Sequence, residues 1–90
     1  LQQLDEIHEW YRTQASAAVA DRIVEDILAV TRLLEHVPNG GQVEPWLEDQ
    51  DLGHRRVVVR NYKVVYRVLK DEVRIIDVFD SRQDPQKMKV

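Results

Sequence analysis

Apolar residues recur at helical spacing through the first third of the chain, and charged residues fill the positions between them. The first stripe is Leu1, Leu4, Ile7 and Tyr11, and the second, about five turns long, is Val19, Ile23, Ile27, Val30 and Leu34. Thr13 and Gln14 interrupt the pattern, and Ser16 is a suitable N-cap for the second helix. Pro38 disfavours helical geometry at the residue before it. The pattern therefore predicts two amphipathic helices that form an antiparallel hairpin.

Short runs rich in Val, Ile and Tyr follow in the second half of the chain, as is typical of strands. We predict three strands, at residues 56–60, 63–69 and 73–80. The breaks between them, Asn61-Tyr62 and residues 70–72, are short enough to force antiparallel pairing. Residues 42–53 are predicted to form a polar connection between the helices and the first strand.

These elements predict an α+β fold in which a helical hairpin packs on one face of a curved antiparallel sheet. Residues 1–90 are expected to form a single domain, since a chain of this length supports one modest core. Two short helices shield one side of a sheet, so we expect the other side to remain uncovered.

Composition places the chain among globular proteins, with 43% hydrophobic and 32% charged residues. The absence of cysteine excludes a disulfide framework and favours a cytoplasmic setting. The apolar runs are far shorter than the ~20 residues of a membrane helix, so no membrane association is expected. His8, His36 and His54 show no metal-ligand spacing, and no cofactor motif is present, so neither a metal nor a cofactor is predicted.

Charge is divided unevenly between the two halves of the chain. Residues 1–53 contain three basic and eleven acidic side chains, a net charge of −8. Residues 54–82 contain eight basic and four acidic side chains, a net charge of +4. The basic half is therefore expected to meet an anionic partner. Which sheet face the cations occupy stays open, because a register shift of one residue inverts it.

Three segments resemble the RelE/ParE superfamily of bacterial toxins from type II toxin–antitoxin modules. They are Gly53-His54-Arg55 leading into residues 57–59, Asn61-Tyr62-Lys63-Val64-Val65-Tyr66-Arg67, and the tail from Asp77 to Pro85. The tail is most similar to the ParE-like branch. Members typically begin with a short strand ahead of the first helix, so the resemblance implies that a strand is missing here and that a sheet edge is open.

The resemblance implies a toxin that binds a cellular target, inhibits growth and is neutralised by a cognate antitoxin. ParE-like members poison DNA gyrase, so gyrase is the implied target, and the resemblance leaves open whether the toxin forms a homodimer. The candidate target- or antitoxin-binding residues are Arg55, Arg60, Lys63, Arg67, Arg74 and Arg82. We assign no catalytic residue in this leading hypothesis.

Two alternatives stay open. RelE-like members cut messenger RNA on the ribosome, which would require Glu44 as general base together with Lys63 and Arg82. Lys63 stands where relatives usually have Arg, and Asp80 stands near a position where many have His; both departures weaken this alternative. The second alternative is a non-toxic or decayed module that retains only antitoxin recognition.

Side chains near these candidates have simpler expected roles. Asp80 is expected to pair with Arg82 or Arg56 and to fix the end of the last strand. A loop carboxylate such as Glu44 is usually solvated. Trp10 and Tyr11 are expected to close the core against the second helix.

Overall fold

The computed structural model describes residues 2–88 as two helices packed on a four-stranded antiparallel sheet, confirming the predicted fold class. The helices are α1 (Gln2–Gln14) and α2 (Ala17–His36). The strands are β1 (Gln42–Val43), β2 (Arg55–Val59), β3 (Tyr62–Leu69) and β4 (Glu72–Asp80), in the order β1-β2-β3-β4. Short 3-10 helices span Pro45–Gln50 and Pro85–Lys87. Within residues 2–88, no helix combines the length and the apolar character needed to cross a bilayer.

The helix boundaries follow from local capping. Helix α1 continues through both residues of the predicted interruption, Thr13 and Gln14, and ends at Gln14. Ser16 is the N-cap of α2, as predicted, and its hydroxyl accepts the backbone N–H of Val19 at 3.1 Å. Helix α2 ends at His36, just before Pro38.

The first core cluster lies between the helices and the sheet. Its buried members are Leu4, Ile23, Ile27, Val59, Tyr62, Val64 and Val78. Most of the predicted stripe residues therefore face the sheet, with Tyr11 packed against the cluster. Val19 is instead 40% exposed, and Leu1 lies outside the described residues. Trp10 does not close the core as expected: 53% of its surface is exposed, and it lines a groove between α1 and the end of β4.

The turn between β2 and β3 lies one residue earlier in the chain than predicted. Val59 pairs with Tyr62, so the two-residue turn is Arg60-Asn61 rather than Asn61-Tyr62. Arg60 adopts a φ of 55°, as the first central position of a tight hairpin turn often requires. In β4, Ile76 forms a bulge: Ile75 pairs with Tyr66 and Asp77 pairs with Val65, so Ile76 has no partner on β3.

The second face of the sheet is partly covered, which contradicts the expectation that it stays bare. Leu47, Val65, Phe79 and Met88 form a second buried cluster there. Leu47 belongs to the Pro45–Gln50 helix, which lies in the segment predicted as a polar connection. A two-residue strand and about two turns of 3-10 helix thus give this connection a packing role.

Candidate docking surface

Strand register places several cations on the face of the sheet that points away from the helices. Lys63 and Arg67 flank Val65 on β3 with the same alternation, and Arg56 lies directly opposite Val65 on β2. Val65 belongs to the second cluster, whereas its neighbour Val64 belongs to the cluster beneath the helices. These three basic side chains therefore share the outer face.

A buried carboxylate neutralises two of these cations. Glu44 is 0% exposed and lies between β1 and the Pro45–Gln50 helix. Its Oε2 accepts a hydrogen bond from Arg56 Nη1 at 3.0 Å, and its Oε1 accepts one from Lys63 Nζ at 3.3 Å. The expectation of a solvated loop carboxylate is wrong, because packing of the 3-10 helix excludes water from this position. Both oxygens of Glu44 are occupied by structural ion pairs.

The third cation of this face, Arg67, meets a like charge. Arg67 lies directly opposite Arg74 on β4. Arg67 Nε donates to the backbone carbonyl of Leu52 at 3.1 Å, and no carboxylate of residues 2–88 forms an ion pair with Arg67. Arg74 pairs at 2.8 Å with exposed Glu72. Like charges directly opposite on a sheet are destabilising, so this arrangement costs stability.

His54 is buried close to Arg67. Only 3% of its surface is exposed, and its Nδ1 has no hydrogen-bond partner within residues 2–88. Burial, and then the positive charge of Arg67, lower the pKa of His54 below its ordinary value. The imidazole is therefore neutral at physiological pH and adds no charge to the surface.

The other three predicted binding residues lie apart from this face. Arg55 points to the opposite side, since it pairs with Tyr66, and its Nη1 donates to the Gly41 carbonyl at 2.8 Å. Arg60 forms an ion pair with Asp26 of α2 at 2.8 Å. The structure brings Lys63, Arg67 and Arg74 together on the outer face and separates Arg55, Arg60 and Arg82 from them.

Arg82 belongs to a groove between α1 and the end of β4. Two of its nitrogens contact Asp80 at 2.8 and 3.0 Å, which confirms the predicted pairing. This hydrogen bonding holds the pKa of Asp80 below its usual range. Burial, and then a hydrogen bond with Tyr11, raise the pKa of Tyr62 in the groove. The groove, of about 400 Å³, therefore presents an ion-paired carboxylate and a protonated phenol.

Sequence reasoning missed four features of this region. The burial of Glu44 had one visible signal, the Glu44-Pro45 step, because Pro is favoured at the start of a helical turn. The burial of His54 and the position of Leu52 depend on tertiary packing. The opposition of Arg67 and Arg74 depends on a register that includes the bulge at Ile76.

A helical hairpin on an antiparallel sheet with a basic outer face is the arrangement expected for the RelE/ParE superfamily of toxins. Comparison with protein families gives a direct match: the model described as "ParE toxin of type II toxin-antitoxin system, parDE" covers residues 1–85. The chain therefore belongs to the ParE toxin family. It is a toxin of a type II toxin–antitoxin system, and this family implies a cognate antitoxin as its partner. A comparison with proteins of curated function finds no match.

Proposed function

We propose that this toxin arrests bacterial growth by binding a cellular target in the cytoplasm, and that its cognate antitoxin blocks the binding surface. DNA gyrase is the target that the family resemblance implies. Loss of the antitoxin would then release the toxin and select for cells that keep the module, which would stabilise a plasmid that encodes it.

The state of Glu44 supports binding over acid–base chemistry. A general base must reach the proton that it removes, directly or through one water. Glu44 is fully buried, and Arg56 and Lys63 occupy both of its oxygens. The carboxylate required by the messenger-RNA endonuclease alternative is thus committed to the fold.

The remaining residues of the endonuclease alternative lie in different environments. Lys63 is engaged by Glu44, whereas Arg82 is bound to Asp80 in the groove beside α1. Asp80 takes the place near which many relatives have His, and its ion pair keeps it ionised. An ionised aspartate does not act as a general acid, and it repels a phosphate.

Induced expression in a bacterial host that lacks the antitoxin tests the proposal. We expect growth arrest with induction of a DNA-damage reporter, and no new cleavage sites in ribosome-bound messenger RNA. Co-expression of the cognate antitoxin should restore growth. Mapped messenger-RNA cleavage without the DNA-damage response would instead establish the endonuclease alternative.

Harmless expression has a separate meaning. If the chain accumulates in folded form and growth continues, the proposed inhibition is wrong, and the chain is a module that retains only antitoxin recognition. Circular dichroism of the purified protein distinguishes this outcome from a failure to fold.

A further inference from the structure

The Arg67–Arg74 pair is the one place on the outer face where opposed cations lie without a shared carboxylate, within the described residues 2–88. Directly opposite residues of an antiparallel pair have Cβ atoms about 5 Å apart. Like charges at opposed positions of a sheet repel each other, and Glu72 compensates only through an exposed pair with Arg74. A single anion between the two arginines would remove this repulsion.

The backbone already fixes one of these guanidinium groups. Arg67 Nε donates to the Leu52 carbonyl, so its terminal nitrogens remain for another acceptor. Arg67 is half-buried, which reduces the side-chain entropy lost when a ligand binds. Lys63 and Arg56 differ, because Glu44 already neutralises them. Arg67 and Arg74 are therefore the cations of the outer face that have no buried carboxylate as a partner within residues 2–88.

Apolar and acidic residues beside the pair indicate what kind of anion fits. Leu52, whose carbonyl accepts from Arg67, is 47% exposed. The same segment carries three exposed acids, Glu48, Asp49 and Asp51. These carboxylates would repel the extended phosphate backbone of a nucleic acid, whose binding depends on many charge contacts. They repel a protein segment less strongly when its carboxylates are fewer and alternate with apolar side chains, and those apolar side chains can contact exposed Leu52.

We propose that Arg67 and Arg74 together bind a side-chain carboxylate from an acidic, amphipathic protein segment, with an apolar side chain of that segment against Leu52. Charge complementarity and the exposed Leu52 define the chemistry of the segment. The assignment of this segment to the antitoxin rests on the proposed function, whereas the site itself does not. Two forked guanidinium groups provide paired N–H donors, the geometry that a carboxylate accepts best.

Fluorescence anisotropy with two probes tests the site on the purified chain. The first probe is a labelled peptide of alternating Leu and Glu, about ten residues long, and the second is an oligouridylate of about the same length. We expect the peptide to bind more tightly than the oligouridylate. R67Q and R74Q should each weaken peptide binding about tenfold, since each removes charge-assisted hydrogen bonds. Both should also reduce the salt dependence of binding.

R22Q and R32Q are matched controls, because they remove the same charge from exposed positions on α2. We expect both controls to keep the wild-type Kd. Equal losses in the controls and in R67Q would overturn the proposal, since overall charge would then explain the effect. Tighter binding of the oligouridylate would overturn it in favour of a nucleic-acid surface.

Thermal unfolding separates loss of the site from loss of the fold. R74Q should keep or slightly raise the melting temperature while it weakens peptide binding, because it removes one of two opposed cations. The binding assay needs neither toxicity nor a cellular target, so harmless expression would refute the proposed inhibition and leave this result standing. Retained peptide affinity in a toxic chain that carries R67Q and R74Q would refute the site alone.

Discussion

At the scale of single residues, one buried carboxylate decides which cations of the outer face remain available. Glu44 is fully buried, so its charge has to be compensated by partners that reach it. Arg56 and Lys63 supply that compensation from two neighbouring strands, with side chains that are themselves only 20% and 17% exposed. A basic residue in the sequence is therefore not automatically a surface charge, and Arg67 gains importance because Glu44 does not reach it.

Glu44→Gln should destabilise the fold strongly. The amide keeps the shape of the side chain but leaves the charges of Arg56 and Lys63 without a counterion in a poorly solvated place. Breaking a buried ion pair from one side costs about 3 kcal/mol. Urea denaturation measures the change in the free energy of unfolding. Glu48→Gln, at an exposed position on the same 3-10 helix, should change it by less than about 0.5 kcal/mol; similar values for both variants would contradict a structural role for Glu44.

His54 should make stability depend on pH. The pKa of His54 is lowered in the folded state from an ordinary value of 6.5. Just below pH 6.5 the imidazole is therefore protonated in the unfolded chain but still neutral in the folded chain, so a fall in pH favours unfolding. The contribution of His54 is therefore fully present above about pH 6.5. It is lost as the pH falls from there toward the folded-state pKa of His54.

Urea denaturation between pH 5 and 8 in steps of about 0.5 checks this sign. His54→Leu should flatten the fall in the free energy of unfolding on the acid side, because it removes the titrating group. His36→Gln is the control, since His36 is exposed and its removal should leave the slope as in the wild type. An unchanged slope in His54→Leu would show that other groups cause the acid loss.

At the scale of elements, the sequence predicted the helices and strands that are long enough to show a repeating apolar pattern. Helix α2 repeats its apolar stripe over 20 residues, and its N-cap Ser16 was identifiable from sequence. Strands β3 and β4 are long enough for their β-rich composition to stand out. Strand β1 has only two residues and no pattern to detect, so the connection was wrongly expected to lack packed structure. The pairing of side chains on the outer face could not be predicted for a related reason. The bulge at Ile76 determines which β4 residues lie opposite which β3 residues, and the sequence gives no signal for it.

Gly41→Ala should test the loop that leads from α2 into β1. A Cβ at Gly41 would lie 2.6 Å from the Tyr66 hydroxyl oxygen and 2.6 Å from the Arg56 carbonyl oxygen. Tyr66 also holds this loop by accepting the Gly41 N–H at 2.9 Å and donating to the Pro38 carbonyl at 2.7 Å. Overpacking of this kind costs about 2 kcal/mol.

The melting temperature of Gly41→Ala should therefore fall well below that of the wild type. Gly40→Ala is the neighbouring control: its Cβ would meet the Val37 carbonyl oxygen at 3.1 Å, a tight contact that a small shift relieves. If both variants melt together, the close approach of Tyr66 does not constrain the loop.

At the scale of the whole molecule, the sheet separates two cores and two kinds of surface. The helices cover one face and contribute seven of the sixteen acidic side chains, whereas the other face carries the cations around a smaller apolar cluster. The second cluster holds the Pro45–Gln50 helix against the sheet, and that helix in turn positions Glu44 and Leu52. The docking surface thus depends on a core that the helices do not form.

Leu47→Ala and Met88→Ala should show that this second core supports stability and the surface together. Both side chains are buried, at 4% and 6% exposure, against Val65 and Phe79. Truncating a buried Leu or Met to Ala costs about 2–5 kcal/mol, because contacts are lost and a cavity remains. Leu33→Ala is the control, since Leu33 is 59% exposed on α2 and its truncation should cost less than about 0.5 kcal/mol.

Met88 gives the sharper comparison, because it lies beyond residues 1–85, the part of the chain that the family model matches. If the second core holds the outer face in place, Met88→Ala should both lower the free energy of unfolding and weaken binding of the Leu-Glu peptide under conditions where the protein stays folded. Loss of stability with unchanged peptide affinity would mean that Arg67 and Arg74 keep their positions without this packing. The strands alone would then define the docking surface, and the Pro45–Gln50 helix would serve only to bury Glu44.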